Sequence, residues 1–169
     1  IGEIRDRETA EIATRAAITG RLVLSTLHTS EAAACVSRLV NMGVPDYLAA
    51  GALKLAIAQR LVRQLCPNCK APGELSDIEK NILPEAENIP QVMKAVGCSA
   101  CAGLGFRGRF PVLEILPFTP AIRELVRLGA PTDGLRVQAV KEGMRTLRLS
   151  ALDAVASGET TAGEAVKIV

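Results

Sequence analysis

Apolar and polar positions alternate along the chain in two rhythms, one helical and one extended. Asp6 stands where it can cap a helix whose first turn holds Glu8, with Ile12, Ala13, Ala16 and Ala17 on one side and Gly20 as its stop. Leu22, Val23 and Leu24 then form a short apolar run that ends in Ser25-Thr26-Leu27-His28-Thr29. This run is too brief for a helix and reads as a buried strand with a polar cluster at its carboxyl end. Ser30 and Glu31 open a second helix with Ala34, Val36, Leu39 and Val40 inward and Gly43 past its end, and Pro45 starts a third through Tyr47, Leu48, Leu53 and Leu55. From Ala56 to Leu65 the period is ambiguous, because Leu53, Ile57, Leu61 and Leu65 also keep helical spacing; a strand from about Ile57 is the reading taken. The apolar Ile1 ahead of Gly2 reads as the tail of a strand that starts upstream, so the chain reads as a fragment. Strand and helix in alternation predict an α/β layer with a mainly parallel sheet, in which ligands gather at the carboxyl ends of the strands.

Between Cys66 and Gly105 the pattern gives way to Pro, Asn, Gly and Cys, the mark of an insert. Within it Ser76 and Glu79 form a capping box for one short helix that Pro84 stops. Arg109 to Pro117 reads as a strand through Val112, Leu113, Ile115 and Leu116. Thr119-Pro120 then begins a run of short helices ending at Gly129, Gly143 and Gly158, the last starting at Thr161 with Glu164. Four segments result: residues 1–65 as an α/β core, 66–105 as the insert, 106–118 as a strand returning to the core, and 119–169 as a helical region.

Composition narrows the function classes. The 169 residues allow one domain, or a domain with a small insert, and an aromatic share of 2% means that the core is built from Ala, Val, Leu and Ile. A formal charge of +2 lacks the basic excess of a protein that lives on nucleic-acid backbone. No apolar run reaches the ~18 residues of a membrane span, and the N-terminus has no leader pattern.

The strongest chemical signal is two C-x2-C pairs, Cys66-Pro67-Asn68-Cys69 and Cys98-Ser99-Ala100-Cys101, with 28 residues between them. Each turn presents two thiolates to one ion, and two such turns complete a tetrahedral S4 shell suited to zinc. With every position filled by protein such a site is structural. The gap exceeds the usual ~15–20 residues, and the helix from Ser76 can absorb the excess. Two disulfides or an iron centre use the same residues, but the lack of a leader favours a reducing compartment and zinc. Arg63, Lys70, Arg107 and Arg109 flank the pairs and could offset the thiolate charge, or simply be solvated. Cys35, on an apolar helix face, reads as a small buried hydrophobe.

Two further residues stand at strand ends. Glu3, in Gly2-Glu3-Ile4-Arg5-Asp6, is where a carboxylate of an NTPase sheet can orient and deprotonate water. His28, the only histidine, lies at the same sheet edge if the two strands are neighbours. By themselves Glu3 reads more readily as a surface residue and His28 as a satisfied polar one.

The ordered set IGEIRDRETAEIA, TGRLVLSTLHT, AQRLVRQLC, CPNC, CSAC, GFRGRFPVLEIL and GETTAGEAV resembles the secretion ATPases of the GspE/PilB type over nearly the whole chain. The resemblance implies the C-terminal part of a RecA-like P-loop ATPase core with an inserted four-cysteine zinc subdomain and a C-terminal helical region. It implies a hexameric motor that hydrolyses ATP with Mg2+ on the cytoplasmic face of the bacterial inner membrane. Its partners would be the inner-membrane platform and cytoplasmic-domain proteins of a type II secretion or type IV pilus assembly machine. By motif, Glu3 corresponds to the catalytic Walker B glutamate, with Arg5 and Asp6 completing that box beside the nucleotide. His28, flanked by Thr26 and Thr29, corresponds to the His box near the γ-phosphate. Cys66, Cys69, Cys98 and Cys101 correspond to the zinc ligands, an insert that related retraction ATPases lack. No G-x-x-x-x-G-K-[ST] loop occurs in these residues; the resemblance puts it upstream, and the fragment is not expected to turn over ATP alone.

Two rival classes use the same features. A nucleic-acid-binding zinc ribbon would explain Arg60, Arg63, Lys70, Arg107 and Arg109 around the metal site, against which stand the low charge and the scarcity of aromatics to stack on bases. A purely structural module would use the insert and helical tail as a docking face.

Overall fold

The computed structural model describes residues 1–169, which form eight α-helices, four strands and two short 3-10 turns. They divide into two compact units, Ile1–Ala58 with Glu114–Met144, and Gln59–Leu113 with Arg145–Val169. No helix is long and apolar enough to cross a membrane.

In the first unit, Asp6 caps α1 (Arg7–Ile18) by accepting from the Thr9 amide at 2.8 Å. The buried stripe of α1 is Ala10, Ala13 and Thr14, whereas Ile12, expected inward, is 57% exposed. Small side chains on that stripe let α1 lie close against α3 (Asp46–Ala52), and the branched Ile12 falls on the other side. α2 (Ala34–Asn41) begins three residues later than a cap at Ser30 suggested, with Cys35, Val36 and Leu39 buried. α5 (Pro120–Arg127) starts at the Thr119 cap and is followed by α6 (Thr132–Lys141).

The expected buried strand at Leu22–Leu24 does not form. Residues 21–29 belong to no helix or strand, and Leu22 and Leu24 are 85% and 73% exposed. The segment is tied to the first residues by the Ile4 amide donating to the Thr26 carbonyl at 3.0 Å and the Thr26 hydroxyl donating to the Gly2 carbonyl at 2.9 Å. Nor is there a mainly parallel sheet. β1 (Leu55–Leu65) pairs with β4 (Phe106–Pro117), and β2 (Ala71–Gly73) pairs antiparallel with β3 (Val92–Lys94). The Phe118 amide donates to the Lys54 carbonyl at 3.0 Å and the Cys66 amide to the Gly105 carbonyl at 2.9 Å, so β1 and β4 also run antiparallel. Apolar runs report burial and period but not strand direction, which only the pairing decides. Along β1, Ala58, Val62 and Leu65 are buried while Leu55, Ile57 and Leu61 are about half exposed, which ends the helical reading of that stretch.

In the second unit, Ser76 and Glu79 form the expected capping box on α4 (Asp77–Ile82). Leu83 and Ala86, in and before the 3-10 turn Pro84–Asn88, are fully buried. Arg148 on α7 (Leu147–Ala156) grips this region, donating to both carboxylate oxygens of Glu85, at 2.9 and 2.7 Å, and to the Ile82 carbonyl at 2.7 Å. The last helix, α8 (Ala162–Val166), is capped by Thr161.

Candidate functional site

Two clusters of chemistry stand apart in sequence, one in each unit. The first is at the N-terminal edge of the first unit. Glu3 Oε1 lies 2.7 Å from His28 Nε2 and Glu3 Oε2 lies 2.5 Å from Arg5 Nη2, so residues 25 apart in sequence meet. The Glu3 side chain is 21% exposed and that of His28 81%. Oε1 is shut off from solvent, with the imidazole its neighbour at 2.7 Å. The hydrogen bond from Arg5 holds the Glu3 carboxyl below the usual range; burial opposes this, and the charges of Arg5 and His28 add to it.

The neighbours divide. Arg5 joins the cluster, and Thr26 fastens the His28 segment to the carbonyl preceding Glu3. Asp6 turns instead to the start of α1, where the Thr9 amide lowers its pKa. Thr29 is half-buried and forms no hydrogen bond to Glu3.

The second cluster is the four cysteines. Cys66 leaves the end of β1 and Cys69 closes its turn, the Cys69 and Lys70 amides donating to the Cys66 carbonyl at 3.3 and 3.0 Å. Cys98 and Cys101 bracket the 3-10 turn Ser99–Cys101. Sulfur separations are 4.0 Å for Cys66–Cys98 and 3.8 Å for both Cys69–Cys101 and Cys98–Cys101, and all four sulfurs lie within 4.8 Å of one another. A tetrahedral zinc with bonds of ~2.3 Å sets its sulfurs ~3.8 Å apart. A disulfide needs ~2.05 Å, and all of these cysteines are free. The residues therefore fit a closed S4 metal shell.

Backbone amides complete the shell. The Gly97 amide points at the Cys69 sulfur at 3.3 Å, and those of Cys98 and Gly105 at the Cys101 sulfur at 3.2 Å each. These amides pull the Cys101 thiol down to about 6 against its burial, while burial pushes Cys69 up to about 12. Gly97 and Gly105 are required. A Cβ on Gly97, at φ +105°, would lie 2.4 Å from the Gly103 carbonyl oxygen, and one on Gly105, at φ +75°, 2.6 Å from the Cβ of Ala95.

Two of the flanking cations are engaged elsewhere. Arg63 stacks 3.9 Å over the Phe106 ring and donates to Glu164 at 2.8 Å, and Lys70 donates to the Gly158 carbonyl at 2.7 Å. The pairing with Glu164, 101 residues away, had no short-range signal. Cys35 is buried, and burial pushes its thiol up to about 12, which fits the packing role expected of it.

Comparison with known proteins decides the family, since the model of the type II/IV secretion system protein matches residues 1–167. The chain belongs to the type II/IV secretion system protein family. Among its relatives, the type IV pilus assembly ATPase PilB of Myxococcus xanthus is 46% identical over 98% of this chain and 30% of its own length. The type II secretion system ATPase E of Vibrio cholerae is 37% identical over 99% of this chain and 33% of its own. The chain thus spans about a third of the length of these curated relatives. The fold is that of a solved pilus retraction motor, PilT with bound ADP, at a TM-score of 0.66 and 24% identity, covering 99% of this chain and 38% of that one. The sequence resemblance to secretion and pilus ATPases is thereby borne out at the level of the family, and the architecture is mixed α/β with a four-cysteine cluster able to hold a metal ion.

Proposed function

We propose that this chain is the part of a secretion or pilus-assembly ATPase that carries its water-activating edge and a structural zinc subdomain. The observation that carries the reading is the approach of His28 to Glu3 at 2.7 Å, in a chain whose relatives are ATPases of both machines. On this reading the Glu3 carboxylate orients the attacking water and takes its proton, and His28, beside it, senses the γ-phosphate. Arg5 holds the carboxylate ionised, and Asp6, Thr26 and Thr29 shape the loops around the nucleotide. ATP and Mg2+ are held largely by a phosphate-binding loop that these residues do not contain, so the chain alone does not hydrolyse ATP.

Zinc would be held by Cys66, Cys69, Cys98 and Cys101. It supplies crosslinking and no Lewis acidity, because no coordination position is free. The four sequence segments keep their assignments in this proposal, with 66–105 as the metal subdomain. The full-length protein works as a hexamer on the cytoplasmic face of the inner membrane, docked to the platform and cytoplasmic-domain proteins of its machine. Both machines fit, type II secretion first and pilus extension as its alternative.

In full-length protein, Glu3→Gln should leave ATP binding intact and lower kcat by about 10²-fold or more, the usual loss of a general base. Turnover at the wild-type rate would remove Glu3 from the mechanism.

A further inference from the structure

α2 starts without a cap of its own: its N-cap position is Ala33, which has no side-chain oxygen to offer. The Cys35 and Val36 amides turn back to the Ala32 and Ala33 carbonyls at 3.3 Å each, while Ala32 and Ala33 are 2% and 0% exposed, so the Ala32 amide ahead of the helix needs a protein acceptor. That acceptor arrives from β4, at the residue just ahead of the N-cap. Glu114, 82 residues later and 2% exposed, accepts from the Ala32 amide through Oε1 at 2.7 Å. An acidic side chain so deeply buried is rare, and an apolar residue of the same size often costs the fold less, so the position calls for a reason beyond packing.

That reason lies in what precedes α2. Ala32 is four residues beyond His28, and the next residue back, Glu31, accepts from Arg136 on α6 at 3.3 Å. The turn after His28 is thus clamped from two elements, while Leu22 and Leu24 ahead of it lie open. We propose that Glu114 is a positioning residue: its bond to the Ala32 amide fixes the turn between His28 and α2, and so keeps the imidazole within reach of Glu3. This rests on the role given to His28 above.

The test is steady-state ATP hydrolysis by full-length protein. Glu114→Ala should lower kcat about tenfold or more while KM for ATP stays within about twofold, since misplacing a group by ~1 Å costs rate before affinity. Glu114→Gln keeps the acceptor and should restore at least half of kcat. Glu114→Ala combined with His28→Ala should be no slower than His28→Ala alone, because both act through one imidazole. Multiplying losses in the double variant, or Glu114→Gln as slow as Glu114→Ala, would overturn the proposal. So would near-normal kcat in Glu114→Ala. If Glu114→Ala does not fold, Glu114→Met, of similar size and without an acceptor, carries the same expectations. Wild-type kcat in His28→Ala would instead overturn the role of His28 itself.

Discussion

Replacing Glu164 by Gln removes one charge from a side chain that is 7% exposed and held on three sides. Its Oε1 accepts from Arg63 Nη2 at 2.8 Å and from the Lys167 ammonium, and its Oε2 accepts from the Arg63 amide at 3.1 Å. Burial would raise its pKa, but the bonds from Arg63 and Lys167 outweigh it and bring the group from 4.5 down to about 2. At ~1.4 kcal/mol per unit the shift corresponds to about 3 kcal/mol. Arg63 and Lys167 are 47% and 61% exposed, so water screens part of the attraction and about 2 kcal/mol is expected. A depressed folded pKa stabilises the protein above the unfolded value and ceases to do so as pH falls through the folded one. The contribution is therefore full above pH ~5 and fades between there and pH ~2. Urea and thermal unfolding of wild type and Glu164→Gln at pH 7.5 and pH 3 read it directly. The variant should melt about 4–8 °C lower at pH 7.5, and the gap should narrow at pH 3. Metal release in acid acts on both proteins alike and cancels in their difference. A gap below about 0.5 kcal/mol at pH 7.5, or one that does not change with pH, would refute the reasoning.

The remaining expectations concern the metal centre. Protein purified without added metal should carry one zinc per chain by elemental analysis, and less than half an equivalent would count against the S4 assignment. Chelation or Cys66→Ser should raise amide exchange across residues 66–105 while leaving α1 to α3 protected, because a small loop-rich subdomain draws most of its stability from the ion; unchanged exchange there would exclude a structural role. Gly97→Ala forces a Cβ onto the Gly103 carbonyl at a positive φ and should cost about 2–3 kcal/mol of unfolding free energy, seen as easier zinc loss to a chelator. Unaltered zinc retention would show that the loop can shift to admit a methyl group.

Local signals proved the most legible. Helix starts at Asp6, Ser76, Thr119 and Thr161 follow from a side-chain oxygen facing its own N3 amide, which sequence spacing records. The C-x2-C pairs were readable for the same reason: each turn is local, and the sulfurs then gather to a common centre. What the sequence hid is long-range. The pairing of β1 with β4 and its direction depend on contacts between distant residues, and Leu22 to Leu24 look like a core strand because apolarity alone does not say whether anything covers it. Glu114 and Glu164 were opaque too, since a buried carboxyl has no pattern of its own and takes its meaning from an amide or guanidinium about 80 to 100 residues away. For Glu3 and His28 the motif supplied the suggestion and the fold the proximity.

Consider when, in the life of the polypeptide, the strand leading to Cys66 acquires its late partners. The Leu65 amide donates to the Glu159 carbonyl, the Thr160 hydroxyl to the Arg63 carbonyl 97 residues away, and Lys70 to the Gly158 carbonyl. Until residues 158–164 have left the ribosome these positions stay unmet, so a nascent chain can gather its four sulfurs well before it can brace them. A metal taken up early would then be a provisional knot, drawn tight only once residues 158–164 emerge.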